Sequence, residues 1–182
     1  SFQVEQFEKN FAKKFQAKYS LAVSSGTAAL RVALAALNIN KKDEVITQSF
    51  TFVATVEAII ESGAKPICTE IDETLNMCPD DLIKKITKKT KAVILVHMLG
   101  SPGNISKIKL ICKKKKITLI EDTAWGIGGK YKNKYLGTIG EIGTFSFDFA
   151  KTITTGEGGM LVFKNKNHFL KAKAWHDHGH DN

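Results

Sequence analysis

The sequence predicts an α/β fold, a three-layer α/β/α sandwich built on a mostly parallel sheet, and three features lead there. Short β-branched runs alternate with amphipathic stretches along the chain, the rhythm of strand–helix–strand units. The segment AVILVHM, Ala92 to Met98, is apolar but for its histidine, as expected of a strand covered on both faces. Several of these runs end in glycine, proline or hydroxyl residues that close one element and open the next.

The elements follow in order. Val4 to Lys18 carries Phe7, Phe11 and Phe15 at helical spacing. LAVSS, Leu21 to Ser25, is a short strand end, and an alanine- and leucine-rich helix starts near Gly26. EVITQ, Glu44 to Gln48, is a strand; FVATVEAIIESG is a helix stopped by Gly63. PICTEID is the next strand. Pro79-Asp80-Asp81 opens a short helix, with proline just inside its start and acids at its positive end. After Ala92 to Met98 come the amphipathic helix ISKIKLICKKKK and the strand ITLIED. GTFSF and GGMLVF are two further strands, and a helix around His168 to Trp175 closes the series. Repeats and low-complexity segments are absent from the sequence, so a single domain over 1–182 is expected.

Composition narrows the function classes. The chain of 182 residues is 43% hydrophobic, 25% charged and 9% aromatic, an ordinary globular balance. No run approaches the roughly 18 apolar residues of a membrane span, and the charged N-terminal segment lacks the apolar centre of a signal peptide. A cytoplasmic protein without a membrane partner is expected. The three cysteines, Cys68, Cys78 and Cys112, are too widely spaced for a disulfide framework or a zinc pattern. Net charge is +9, yet the only arginine is Arg31 and the lysines are scattered. That favours a solvated lysine-rich surface over a nucleic-acid partner, because base readout relies on arginine forks.

In such sheets ligands collect at the carboxyl ends of the strands, and four segments belong there. In SSGTAAL, Ser24 to Leu30, a strand gives way to a helix whose free N–H groups and dipole suit a phosphate; Gly26 permits close approach and Thr27 adds a hydroxyl. A plain N-cap is the alternative. In LIEDTAW, Asp122 emerges just past an apolar strand, as an N-cap or as the charge partner of a ligand such as a protonated pyridine nitrogen. In GTFSFDFAKTITTGEGGM, a strand delivers Ser146 and Lys151 ahead of a glycine-rich turn. A lysine so close to apolar residues is partly desolvated, which favours the neutral nucleophilic amine; a solvent-facing lysine is the bland alternative. In SFTFVAT, Phe52 starts a helix after a strand, where it either presents its ring to a flat ligand or fills the core.

Taken in order, these segments resemble the DegT/DnrJ/EryC1/StrS family of sugar aminotransferases, within the fold-type I pyridoxal-phosphate enzymes. The resemblance runs along nearly the whole chain. Its specific carriers are SSGTAAL, SFTFVATVEAI, EDTA followed by Tyr131-Lys132, GTIGEIGTFSF and SFDFAKTITTGEGG. It implies pyridoxal 5'-phosphate as cofactor. Lys151 would hold it as a Schiff base and then shuttle the proton, Asp122 would pair with the pyridine nitrogen, and Phe52 would stack on the ring. Ser146, Gly26, Thr27 and the backbone of Ala28 would hold the phosphate. The implied reaction moves an amino group from an amino acid, usually glutamate, to a keto-sugar, in cell-surface polysaccharide or nucleotide-sugar biosynthesis.

DETLNMCPD, LVHMLGS, FDFAKTITTGEGG and DHGHD are also similar to the branch that aminates 8-amino-3,8-dideoxy-octulosonate's keto precursor. Trp125 stands where many relatives carry glutamine or histidine, and Gln48 where proline is common. Family members are longer and form homodimers with shared active sites, so the chain is expected to be the large cofactor-binding domain of a longer protein. A related dehydratase has histidine in place of the lysine, which Lys151 argues against. A regulatory or DNA-binding member would explain the charge but not Lys151 or Asp122. His176, Asp177, His178 and His180 lack a spaced second pair of ligands, so a polar loop is expected there and no metal site.

Overall fold

The computed structural model describes residues 1–177 and 179. Helix α1 (Phe2–Phe15) leads into strand β1 (Tyr19–Val23), helix α2 (Gly26–Ala36), strand β2 (Glu44–Gln48), helix α3 (Val53–Glu61) and strand β3 (Lys65–Thr69). Helix α4 (Pro79–Lys85), strand β4 (Thr90–Val96), helix α5 (Ile105–Lys115) and strand β5 (Thr118–Asp122) continue the alternation. A ribbon of β6 (Lys130–Tyr131) and β7 (Lys134–Tyr135), strands β8 (Ile142–Ser146) and β9 (Gly159–Phe163), and helix α6 (Lys166–His176) complete it.

Seven strands form one sheet in the order β1-β9-β8-β5-β4-β2-β3. Its pairs are parallel except at β9, which runs against both β8 and β1. Six strands therefore end at the same edge. Gly159, at the start of β9, pairs with both Val23 and Ser146, which brings the start of α2 beside the end of β8. Asp122 pairs with Val96 on one side and Thr144 on the other, so it ends a central strand.

Residue parity sets the layers. Ala92, Ile94 and Val96 of β4 join Ile120 and the buried faces of α2, α3 and α6 in one core, while Val93 and Leu95 face α4 and α5 through Leu82, Ile105 and Ile108. Helix α1 packs a third cluster at the β8–β9 end, with the Phe11 ring 5.0 Å from Phe145 and Phe7 5.5 Å from Phe147. Both faces of the sheet are covered, which is why β4 shows no polar alternation. Among the described residues, no helix is long and apolar enough to cross a membrane.

The β6–β7 ribbon is the element that sequence patterning does not anticipate. Its turn residues, Lys132 and Asn133, both have positive φ (47° and 64°), a primed turn formed without the Asn-Gly pair that signals one. The Gly137 that follows has φ +85°, and a Cβ there would lie 2.3 Å from Phe145 Cζ. No other residue type fits that position.

Candidate active site

At the common carboxyl edge of the strands lies a cavity of about 240 Å3. Gly26, Thr27, Phe52, Asp122, Ser146 and Lys151 all line it. These six residues from four sequence segments are thus brought together. Ala28 is placed differently: its N–H donates to Ser25 Oγ at 3.0 Å as the N-cap of α2, and it does not line the cavity. His178 and His180 lie outside the described residues, and no group of metal-ligating side chains occurs among the described ones.

The first wall is the start of α2. Helix geometry leaves the first N–H groups without intrahelical partners, and Ser25 Oγ satisfies the one at Ala28. Gly26 and Thr27 line the cavity at the positive end of the helix dipole. Gly26 sits so close to β8 that a Cβ would lie 2.7 Å from Ser146 Cβ. The missing side chain allows the helix start and Ser146 to share one small polar corner.

The floor is Asp122, 5% exposed. Its Oδ2 accepts a hydrogen bond from Thr55 Oγ1 at 2.9 Å and its Oδ1 from the Ala124 N–H at 3.1 Å. Thr51 Oγ1 lies 3.0 Å from Thr55 Oγ1, extending the chain of hydroxyls. Burial holds the Asp122 carboxyl above the usual aspartate range; the Ala124 N–H, the Thr55 hydroxyl and the fields of His97 and Lys151 offset this only in part. A desolvated carboxylate with two neutral donors is short of positive charge, and a cation set against it would be strongly held.

Its neighbour Glu121 points to the other face and is also buried. His97 Nε2 lies 2.7 Å from its Oε2, which also accepts the Gly137 N–H at 2.9 Å; Oε1 accepts the N–H groups of Ile139 and Gly140. Burial pushes the Glu121 carboxyl up, but the hydrogen bond and charge of His97 with the N–H groups of Gly140 and Gly137 outweigh it, and the group lies below its usual range. The backbone N–H of His97 donates to the Asp122 carbonyl at 2.9 Å. This clamp fixes the end of β5, and it explains the GTIGEIG stretch as the loop that wraps a buried carboxylate.

The opposite wall is the β8–β9 connection. Asp148 organises it: its Oδ1 accepts the Ala150 N–H at 3.0 Å and its carbonyl the Lys151 N–H at 2.9 Å. The Phe147 N–H donates to the Gly158 carbonyl, and the Thr155 N–H to that of Phe147. Lys151 is half-buried and places its Nζ 3.8 Å from the centroid of the Trp125 ring. Phe52, at the N-cap of α3, is 66% exposed with its side chain at the cavity mouth.

Sequence patterning alone does not identify Ser25, Thr55 or Glu157, which line the same cavity. Thr55 carried a signal, since a hydroxyl on the apolar side of a helix needs a partner. Ser25 carried the signal of a capping serine before a helix, and Glu157 carried none.

The arrangement has known counterparts. The profile of the DegT/DnrJ/EryC1/StrS aminotransferase family matches residues 2–182. A GDP-perosamine synthase of Escherichia coli O157:H7 is 44% identical over 187 residues, covering 96% of this chain and 51% of that protein. An aminotransferase from Psychrobacter cryohalolentis superposes with a TM-score of 0.96 at 38% identity, over 98% of this chain and 46% of its own. The structure of NtdA from Bacillus subtilis, with the cofactor PMP bound, superposes with a TM-score of 0.88 at 34% identity, over 94% of this chain and 39% of its own. The chain spans about half the length of the curated relatives it matches.

Proposed function

The chain belongs to the DegT/DnrJ/EryC1/StrS aminotransferase family, and from that premise we propose that the protein containing it transfers an amino group from an amino acid, with glutamate as the donor, to a keto-sugar. The observation that carries this reading is Lys151 and the buried carboxylate of Asp122 facing one cavity.

The cofactor of the family is pyridoxal phosphate, and the residues present fit it on three counts. The glycine-lined corner of Gly26, Thr27 and Ser146, under a helix start, suits a phosphate. The Asp122 carboxylate lacks a cationic hydrogen-bond partner, as a site for a protonated ring nitrogen requires. The amine of Lys151 makes no ion pair with any described carboxylate and is free to react. When bound, this cofactor supplies an electron sink that stabilises negative charge on the substrate carbon.

The chain's own residues supply the rest. Lys151 holds the cofactor through its amine and moves the proton to and from the substrate carbon at Nζ. Asp122 keeps the ring nitrogen protonated, and Thr55 with the Ala124 N–H holds that carboxylate in one orientation. Phe52 covers the ring, and Gly26, Thr27 and Ser146 hold the phosphate. The 44% identity to a GDP-perosamine synthase favours a nucleotide-linked keto-hexose over the eight-carbon sugar acid, within nucleotide-sugar or cell-surface polysaccharide biosynthesis.

The chain is read as the large cofactor-binding domain of a homodimer whose subunits complete each other's sites. Phe52, Val53 and Phe149 are 66%, 57% and 78% exposed on segments that flank the cavity, apolar surface that a second subunit would cover. The proposed compartment is the cytoplasm, in keeping with three free thiols.

The test is to assay the full-length protein with glutamate and a panel of nucleotide-linked keto-hexoses and keto-sugar acids. The reading requires glutamate-dependent amination of at least one of them. Absence of amination across the panel in cofactor-loaded protein would overturn it.

A further inference from the structure

Trp125 is a large aromatic on the cavity wall beside Lys151, and its position is tightly set. It sits three residues past Asp122 in a turn closed by the Gly126 N–H on the Thr123 carbonyl at 3.1 Å. The ring is partly exposed, lines the cavity, and lies under Lys151 Nζ at 3.8 Å from its centroid. Asp122, Asp148 and Glu157 line the same cavity, yet none of them pairs with Nζ among the described residues. The lysine, free to swing on a flexible stem, rests on the indole instead.

That choice of partner has a chemical consequence. A carboxylate would draw the ammonium into a hydrogen bond and accept its proton. An indole face attracts the positive charge through its quadrupole but has no lone pair to take a proton. An ammonium seated there keeps all its N–H groups for other acceptors.

We propose that Trp125 is a positioning residue for Lys151, and that its indole face is the seat that holds the lysine as a cation once the proton transfer is complete and its amine is no longer joined to the cofactor. The inference rests on Lys151 being the lysine that holds the cofactor, as set out above. In the first half of the transfer, the lysine–cofactor C=N bond and the donor's C–N bond are broken. Water would give its oxygen to the released keto acid and its two hydrogens to Nζ, which with the proton already on the linked nitrogen would leave Lys151 as an ammonium, while the donor's NH2 and α-hydrogen would pass to the cofactor carbon. The seat stabilises that second state and not the first, so it biases the equilibrium between them.

The equilibrium is read in full-length protein saturated with cofactor, from the visible absorbance of the lysine-linked form at fixed ratios of glutamate to its keto acid. In Trp125→Leu the constant moves toward the linked form by roughly 2- to 30-fold, the span expected of a cation–π contact, and in Trp125→Phe by less. A wall residue with no seat function would alter cofactor affinity and leave this ratio unchanged. A constant within 2-fold of wild type in Trp125→Leu, or an equal shift in both variants, overturns the proposal. A second measurement needs no cofactor. In cofactor-free protein with every other tryptophan, Trp175 among them, replaced by phenylalanine, Trp125 is the sole tryptophan emitter, and its emission should change when Lys151→Met is added. Superimposable spectra mean that the amine does not rest on the ring. If the wild type takes no colour with cofactor, the aminotransferase reading is what fails, and the emission comparison still decides whether Lys151 rests on the indole.

Discussion

The hydroxyl of Thr55 donates to Asp122 Oδ2 at 2.9 Å, tying α3 to the end of β5 across 67 residues of sequence. Both side chains are buried, so the bond has no water to replace it. Thr55→Val keeps the shape and leaves a buried carboxylate oxygen with one partner fewer, at about 1–3 kcal/mol. Cofactor affinity should fall by about tenfold for each 1.4 kcal/mol of that cost felt in the bound state. Thr55→Ser should restore most of it. Cofactor titration of the three proteins, followed by absorbance, checks this.

Asp122 and its neighbour Glu121 should respond to acid in opposite senses. The Asp122 carboxyl is raised in the cofactor-free fold, so the stability it contributes is present below the ordinary carboxylate range and is lost as pH rises through its folded value. Cofactor-free Asp122→Asn should therefore be at least as stable as wild type near neutrality, and the advantage should vanish in acid. Amino transfer by the same variant should fall on the order of 100-fold or more, because the ring nitrogen loses its counter-charge. Urea unfolding across pH, beside a transfer assay, separates the two effects.

The Glu121 carboxyl is lowered, so its contribution is present above the ordinary range and is lost as pH falls through the folded value. Glu121→Gln breaks a buried pair with His97 and should cost about 3 kcal/mol at neutral pH. The gap to wild type should narrow in acid. A gap that is constant with pH would mean the carboxylate charge is not what holds the 137–140 loop.

Gly26 tests the cradle. A Cβ there meets Ser146 Cβ at 2.7 Å, so Gly26→Ala must force α2 and β8 apart at about 1–3 kcal/mol. Inorganic phosphate, which protects the wild type from thermal unfolding if the corner binds anions, should protect this variant less. Equal protection of both proteins would remove Gly26 from the phosphate site.

Much of this was legible in sequence, for identifiable reasons. Asp122 and Ser146 end strands whose apolar runs are unmistakable, Lys151 follows the second of them, and strand ends in a parallel sheet point to one edge. Thr55 carries only the general signal of a hydroxyl on an apolar helix face, which does not point to its partner on β5, two strands from β2 in the sheet. The Glu121–His97 clamp was hidden because its acceptors are met by loop N–H groups, which leave no mark in side-chain pattern. The ribbon at Lys130–Tyr135 was missed because lysine and asparagine carry its positive φ angles where glycine is expected. Trp125 was visible as a departure from its relatives; that its ring receives the lysine depends on where the β8–β9 loop folds.

The central claim is that Lys151 is the amine that holds the cofactor. It is tested most directly by loading the full-length protein with pyridoxal phosphate, reducing with borohydride, and mapping the modified peptide by mass spectrometry. The reduced cofactor should be found on Lys151 alone, and Lys151→Arg protein should carry none. Label on any other lysine, or undiminished label in Lys151→Arg, would contradict the account.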